Sequence, residues 1–283
     1  MHKHAHWLRQ YRIKARGAFR GRNYVVVAPS PCLNASVDHD ANVRVYGVVG
    51  GGGGRATAAR FTQSGAHVLI AGRRPEPLAE TRRLHPEIAT VTADIRVKAE
   101  VDRVVAEALR LWGRIDVLVN NAGAFARSPL ETASPDLVLD LFATNVLGPT
   151  LMTQAALPHL KASRGSVVNV SSTYGHKASP GASLYAASKA AIEHLTRCWA
   201  LELAPHKIRV NAVAPGPTET PILQRSGLPM DVVEAIKNRE AGLVPLGRRG
   251  APDEVAAWIV TLTDPSAEWI TGQILSVDGG LSL

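Results

Sequence analysis

Cysteine is scarce in this sequence: Cys32 and Cys198 are the only two among 283 residues. Neither stands in a metal or redox spacing, so a disulfide framework and a Cys-based zinc site are excluded and a reduced compartment is the natural setting. No apolar run approaches the ~18 residues that a membrane span requires. Internal repeats and low-complexity linkers are also missing. Acidic residues are depleted in one place only. Residues 1–44 hold eight Lys/Arg (Lys3, Arg9, Arg12, Lys14, Arg16, Arg20, Arg22, Arg44) against Asp38 and Asp40, leaving 24 basic and 22 acidic residues beyond them. The formal net charge of +8 therefore belongs mostly to the N-terminal stretch and implies no nucleic-acid surface on the remainder.

What is present becomes regular from Val43. Val43–Val49 reads as a strand, Gly50 to Gly54 as a glycine loop, and Arg55 to Phe61 as the start of a helix. Backbone can approach a pyrophosphate closely in such a loop, and the helix N-terminus faces its charge. Strands then alternate with helices: 67–71, 88–93, 115–119, 166–170, 208–213 and 273–277 as strands, with helices over 78–84, 97–112, 135–160 (interrupted at Gly148-Pro149), from Tyr185, and over 252–262. Short apolar strands between amphipathic helices predict an α/β fold, a single doubly wound parallel sheet covered on both faces. Residues 216–251 show no strand and read as a mobile, apolar lid containing Pro221-Ile-Leu, Leu228-Pro-Met and Leu243-Val-Pro-Leu246.

The chemistry centres on Ser171-Ser172 and, thirteen residues after Ser172, Tyr185-Ala-Ala-Ser-Lys189. On a helix Tyr185 and Lys189 stand at i and i+4, on one face. A phenol with a pKa near ~10 exchanges protons poorly at neutral pH. An ammonium at ~4 Å, at an effective dielectric of ~20, favours the phenolate by up to ~4 kcal/mol, roughly three pK units. The expectation is a Tyr185 titrating near about 7, where general acid/base catalysis works best.

These residues have company. The glycine loop, Asp94, Asn120-Asn-Ala-Gly123, Asn145, Ser172, Tyr185-x-x-x-Lys189, Pro215-Gly216 and the ending Ile270-Thr-Gly-Gln…Val277-Asp-Gly-Gly280 occur in one order and register. Over residues 43–283 the chain resembles a short-chain dehydrogenase/reductase, a Rossmann-like oxidoreductase. The resemblance implies a catalytic set of Asn145, Ser172, Tyr185 and Lys189. It implies cofactor contacts at Gly47, Gly52, Gly54, Asp94, Asn121, Ala122, Gly123, Tyr185, Lys189, Pro215, Gly216, Thr218 and Thr220, with Asn120 bracing the sheet and no metal. Thr173, Tyr174 and His176 are candidate pocket residues. Ser171 competes with Ser172, which the spacing to Tyr185 favours.

Two features depart from the pattern. The expected Thr-Gly-x-x-x-Gly-x-Gly fits Gly52 and Gly54 in one register and Gly47, Gly51 and Gly53 in another, and lacks its Thr in both. At the end of the second strand, Ile70-Ala-Gly72 carries no acid for a ribose 2′-hydroxyl, and Arg73-Arg74 follows. Two guanidiniums suit a 2′-phosphate, so NADP is expected over NAD. The slipped loop adjoins residues 1–42, an anomalous basic extension with three readings: a transit peptide, a basic arm, or a segment disordered or foreign to the fold. The slip favours the third. The expected function is hydride transfer between NADP(H) and a ketone or secondary alcohol, in a cytoplasmic homotetramer that engages neither nucleic acid nor membrane. The alternative is a non-catalytic nucleotide-binding or interaction protein with a decayed loop.

Overall fold

The computed structural model describes residues 43–49, 52–220 and 229–283. Residues 1–42, and with them the three readings of the basic extension, lie outside the described residues, as do 221–228 of the expected lid. The described strands form one parallel sheet in the order β3-β2-β1-β4-β5-β6-β7. They are β1 (Val43–Val49), β2 (Ala66–Gly72), β3 (Ala89–Thr92), β4 (Val117–Asn120), β5 (Ser166–Val170), β6 (Arg209–Pro215) and β7 (Ile274–Val277). The order reverses between β1 and β4, both paired in parallel, and open α/β sheets place ligands at such a switch point.

Both faces of the sheet are apolar, which is why the strands read as continuous hydrophobic runs. Alternate residues of each strand go to opposite sides: Leu69, Leu118, Val167 and Val210 face one core, Ile70, Val119, Val168 and Val213 the other. The first core is closed by α3 (Lys98–Trp112), α5 (Gly148–Ser163) and α6 (Ser183–Leu203), through Val101, Val104, Met152, Leu160 and Ala200. Trp199 packs against this core as well. The second is closed by α1 (Gly52–Gln63), α2 (Pro75–Leu84) and α8 (Pro252–Thr263), through Phe61, Leu78, Val255 and Ile259. The sequence expectation of a doubly wound α/β sheet holds.

Three local expectations are corrected. The helix after β1 begins at Gly52, not Arg55, so Gly52 and Gly54 belong to its first turn. The long helical stretch breaks at a π-helical segment, Ala143–Leu147, after α4 (Pro135–Phe142). Gly148-Pro149 starts α5 instead, since a proline in a first turn forfeits no helical hydrogen bond. Within 216–251 lies α7 (Met230–Leu243). Its neighbour Val244 is buried, while Leu243 and Leu246 are exposed.

Candidate active site

The carboxyl ends of β4, β5 and β6 carry the expected residues toward the start of α6. Asn120 ends β4 and is buried; it donates to Thr153 Oγ1 (3.0 Å) on α5 and to Asn169 Oδ1 (2.9 Å) on β5. Asn169 in turn donates to Thr196 on α6 (2.9 Å). This buried amide chain ties two strands to two helices and so fixes the loop 121–123 just beyond it. Buried polar groups demand such partners.

Gly123 is where the site closes. A Cβ there would lie 3.3 Å from Lys189 Nζ and 3.4 Å from Asn145 Oδ1, so the absent side chain lets both polar groups reach the loop. Asn145 accepts from the Ala124 amide (2.7 Å) and donates to the Ala124 carbonyl and to Ser188 Oγ (both 2.9 Å). Its place in the π segment gives the residue a use for an otherwise poor helix former: π insertions concentrate at functional positions. Ser188, from the helix turn joining Tyr185 to Lys189, donates to the Tyr185 carbonyl (2.7 Å).

Ser171 and Ser172 part company at the end of β5. Ser172 caps the 3-10 turn Thr173–Gly175 by accepting from the Tyr174 amide (3.3 Å), and its hydroxyl favours the ionised form of the Tyr185 phenol. Ser171 turns inward and donates to Glu193 Oε1 (2.8 Å). The Tyr185 ring is held edge-on by Phe125 at 4.9 Å and Tyr174 at 6.3 Å between centroids. Tyr174 Oη accepts from Arg127 (3.2 Å). Of the expected pocket residues, Thr173 is buried and donates to the Pro215 carbonyl (3.2 Å), and His176 is directed at Glu193.

The charge argument from sequence is corrected in sign. Burial pushes the Tyr185 phenol up, to about 12, with the Ser172 hydrogen bond only partly opposing it. The Lys189 ammonium sits 5.8 Å from the ring centroid and donates to the Val170 carbonyl (2.9 Å). For the phenol at rest, desolvation is the largest effect. Lys189 itself is pushed down to about 8 by burial, against the opposing pull of Glu193. The dyad is thus a protonated phenol beside an ammonium, an arrangement suited to giving a proton.

Other expected contacts vary. Gly47 lies inside β1, in register with Ile70 on one side and Val119 on the other; its backbone belongs to the sheet ladder, so it is no part of a phosphate-binding turn. Gly53 instead approaches the next loop, a Cβ there lying 3.6 Å from Asn121 Oδ1. Asn121 and Ala122 are buried beside Gly123. Arg73 and Arg74 are exposed just past β2, and the Arg73 charge reaches Asp94. Asp94 holds its neighbour Arg96 through both carboxylate oxygens (3.0 and 2.6 Å), and its carboxyl lies below the usual range because those bonds outweigh its burial. Gly216 packs on the C-terminal segment, where a Cβ would meet Asp278 Cα at 2.7 Å. Thr218 donates to the Gly216 carbonyl (2.9 Å), and its own carbonyl accepts from buried Arg249 (2.6 Å), which also pairs with Glu219 (2.7 Å) and with Glu240. Thr220, part-buried, follows Glu219.

Sequence reasoning missed Phe125, Ser188, Arg96 and Glu193. Only Glu193 left a local signal, an acid four residues after Lys189 and next to the buried Ile192.

A family model described as enoyl-(acyl carrier protein) reductase matches residues 47–282. The chain belongs to the short-chain dehydrogenase/reductase family. It is accordingly an oxidoreductase of the nicotinamide-dependent CH–OH/C=O class. Among its relatives, the 3-oxoacyl-[acyl-carrier-protein] reductase of Thermotoga maritima is 38% identical over 233 residues, covering 81% of this chain and 92% of the relative. The sorbitol dehydrogenase of Cereibacter sphaeroides is 34% identical over 242 residues, covering 80% and 92%. The crystal structure of 3-ketoacyl-(acyl-carrier-protein) reductase from Brucella melitensis, complexed with NADH, superposes with a TM-score of 0.78 at 33% identity, covering 83% of this chain and 97% of that one. No helix among the described residues is long and apolar enough to cross a membrane.

Proposed function

We propose that this oxidoreductase reduces a ketone, or oxidises the matching secondary alcohol, with NADP(H). One observation carries the reading: Lys189 Nζ and Asn145 Oδ1 converge on Gly123, with Ser188 tying Asn145 to the Tyr185 carbonyl. The residues fit a dinucleotide. The first turn of α1 holds three glycines and no acid, leaving its amides open to a pyrophosphate. The cradle at Gly123 would hold the nicotinamide half together with Asn121, Ala122, Lys189 and the stretch from Pro215 to Thr220. A bound nicotinamide nucleotide supplies the hydride.

The chain supplies the rest. Ser172 holds the substrate oxygen and Tyr185 gives it a proton, both donors strengthening as negative charge develops there. A phenol pushed up to about 12 is fully protonated at neutral pH, which supports the reductive direction. Lys189, at about 8, is roughly nine-tenths charged at pH 7 and stabilises the phenolate left behind. Asn145, clamped to Ala124, sits beside Ser188 and links the dyad to the loop.

Arg73 and Arg74 support NADP over NAD, since both are exposed beyond β2 and form no ion pair among the described residues. Exposed Leu139, Leu147 and Leu201 on the outer sides of these elements support association into a homotetramer, which light scattering measures directly. Tyr185→Phe tests the core of the proposal: turnover in a carbonyl panel disappears while fluorescence titration still detects NADPH. Retained turnover refutes it.

A further inference from the structure

Behind the dyad lies a buried acid that the reaction just described does not use. Glu193 is 3% exposed and stands one helical turn after Lys189 on α6. Its Oε1 accepts from Ser171 Oγ (2.8 Å) and meets His176 Nδ1 at 3.0 Å. A carboxylate can only accept, so Nδ1 carries a hydrogen, while Nε2 pairs with Ser276 Oγ at 3.2 Å. The backbone is shaped to admit this carboxylate, because a Cβ on Gly175 would fall 2.3 Å from Oε1 and 2.8 Å from Ser171 Oγ. Three separate elements therefore converge on Glu193: the end of β5, the 3-10 turn after it, and β7 through His176.

We infer that Glu193 is a positioning residue for proton transfer, its buried carboxylate fixed by Ser171 and His176 one helical turn from Lys189 so that its charge favours the ammonium. The inference rests on the functional reading above, since it acts only through Lys189. The charged groups around Glu193 leave it this task. Lys189 is the neighbouring cation on its own helix, and His176 is the titratable group facing it from the turn. Lys177, beside His176, donates instead to the Leu281 carbonyl. Asp278 is bound to Thr173 (3.3 Å) and to the amides of Gly280 and Ser282 (2.9 Å each). Arg197, one further turn along α6, is exposed. Burial alone favours a neutral amine at Lys189, and Glu193 opposes it.

The test compares wild type, Glu193→Gln and Glu193→Asp as full-length proteins. Gln keeps an acceptor for Ser171 but loses the charge. Nitrogen-15 NMR of lysine-labelled, ligand-free protein reads the Lys189 titration, identified by its disappearance in Lys189→Arg. In Glu193→Gln the midpoint falls from about 8 by on the order of one pH unit. The alkaline limb of kcat/KM for NADPH-dependent reduction falls with it, and kcat at pH 6 stays within about threefold of wild type. Glu193→Asp lies between the two. In wild type, needing no variant to fold, the Glu193 carboxyl carbon signal registers the Lys189 step. An unmoved Lys189 midpoint in folded Glu193→Gln, or a Glu193 signal blind to that step in wild type, overturns the inference. If instead Tyr185→Phe keeps turnover, the functional reading fails and the titration results stand apart from it.

Discussion

Truncating Asn145 to alanine tests how far the site is built by one side chain. Three hydrogen bonds disappear together: two to the Ala124 backbone (2.7 and 2.9 Å) and one to Ser188 Oγ (2.9 Å). Each is worth about 1 kcal/mol net, and an orphaned buried partner costs about 1–3 kcal/mol. Ala124 is only part-buried, so water recovers some of its loss, whereas Ser188 is fully buried. The expected destabilisation is about 3 kcal/mol, and at 2–4 °C per kcal/mol for a domain of this size the melting midpoint drops by roughly 6–12 °C. Urea denaturation measures the free energy. Amide hydrogen exchange at Ala124 localises it, because protection there depends on Asn145 Oδ1. A loss below about 1 kcal/mol with Ala124 protection unchanged would show that the π segment, not the Asn145 side chain, holds the 121–124 loop.

Four further outcomes are expected. Reduction weakens as pH rises through about 8, where Lys189 loses its charge; a rate flat from pH 7 to 10 contradicts this. The same depressed value makes Lys189 a cost to folding below pH 8, relieved as pH climbs toward its ordinary range, so Lys189→Met abolishes turnover yet is at least as stable as wild type at pH 7, as calorimetry will show. Arg73→Ala with Arg74→Ala raises KM for NADPH at least tenfold and leaves NADH little changed; equal effects on both would remove the NADP assignment. Gly165→Ala drives a Cβ to 2.2 Å from the Asp116 carbonyl oxygen and 2.9 Å from Leu160, costing about 2 kcal/mol or more in urea denaturation.

Much of the architecture was legible locally. Val68-Leu-Ile-Ala71 in β2 and Val167-Val168 in β5 are apolar at successive positions because both faces of the sheet are covered, and the structure returns both strands within two residues of the expected bounds. The helix expected from Tyr185 was equally legible, and it begins at Ser183. The glycine loop was not, because five successive glycines offer no register mark. Only the ladder pairing Gly47 with Ile70 and Val119 shows that this glycine belongs to the strand. The helix break was misplaced for a related reason. Proline at 149 is the obvious breaker in one dimension, but in a first turn it breaks nothing, and the actual π segment surrounds Asn145.

The amino-acid order by itself determined the alternation of strand and helix, the two-sided sheet, and the spacing that puts Tyr185 and Lys189 on one helix face, since each depends on residues two to four apart. Tertiary packing alone decided that Ser171 turns away to Glu193, that Glu193 is held there by His176 as well, and that the phenol is raised rather than lowered. Those outcomes are set by desolvation and by contacts such as Ser171 with Glu193 and Asn145 with Ala124, between segments some twenty residues apart. No local pattern encodes how much water such a meeting excludes, and here that exclusion is what raises the phenol.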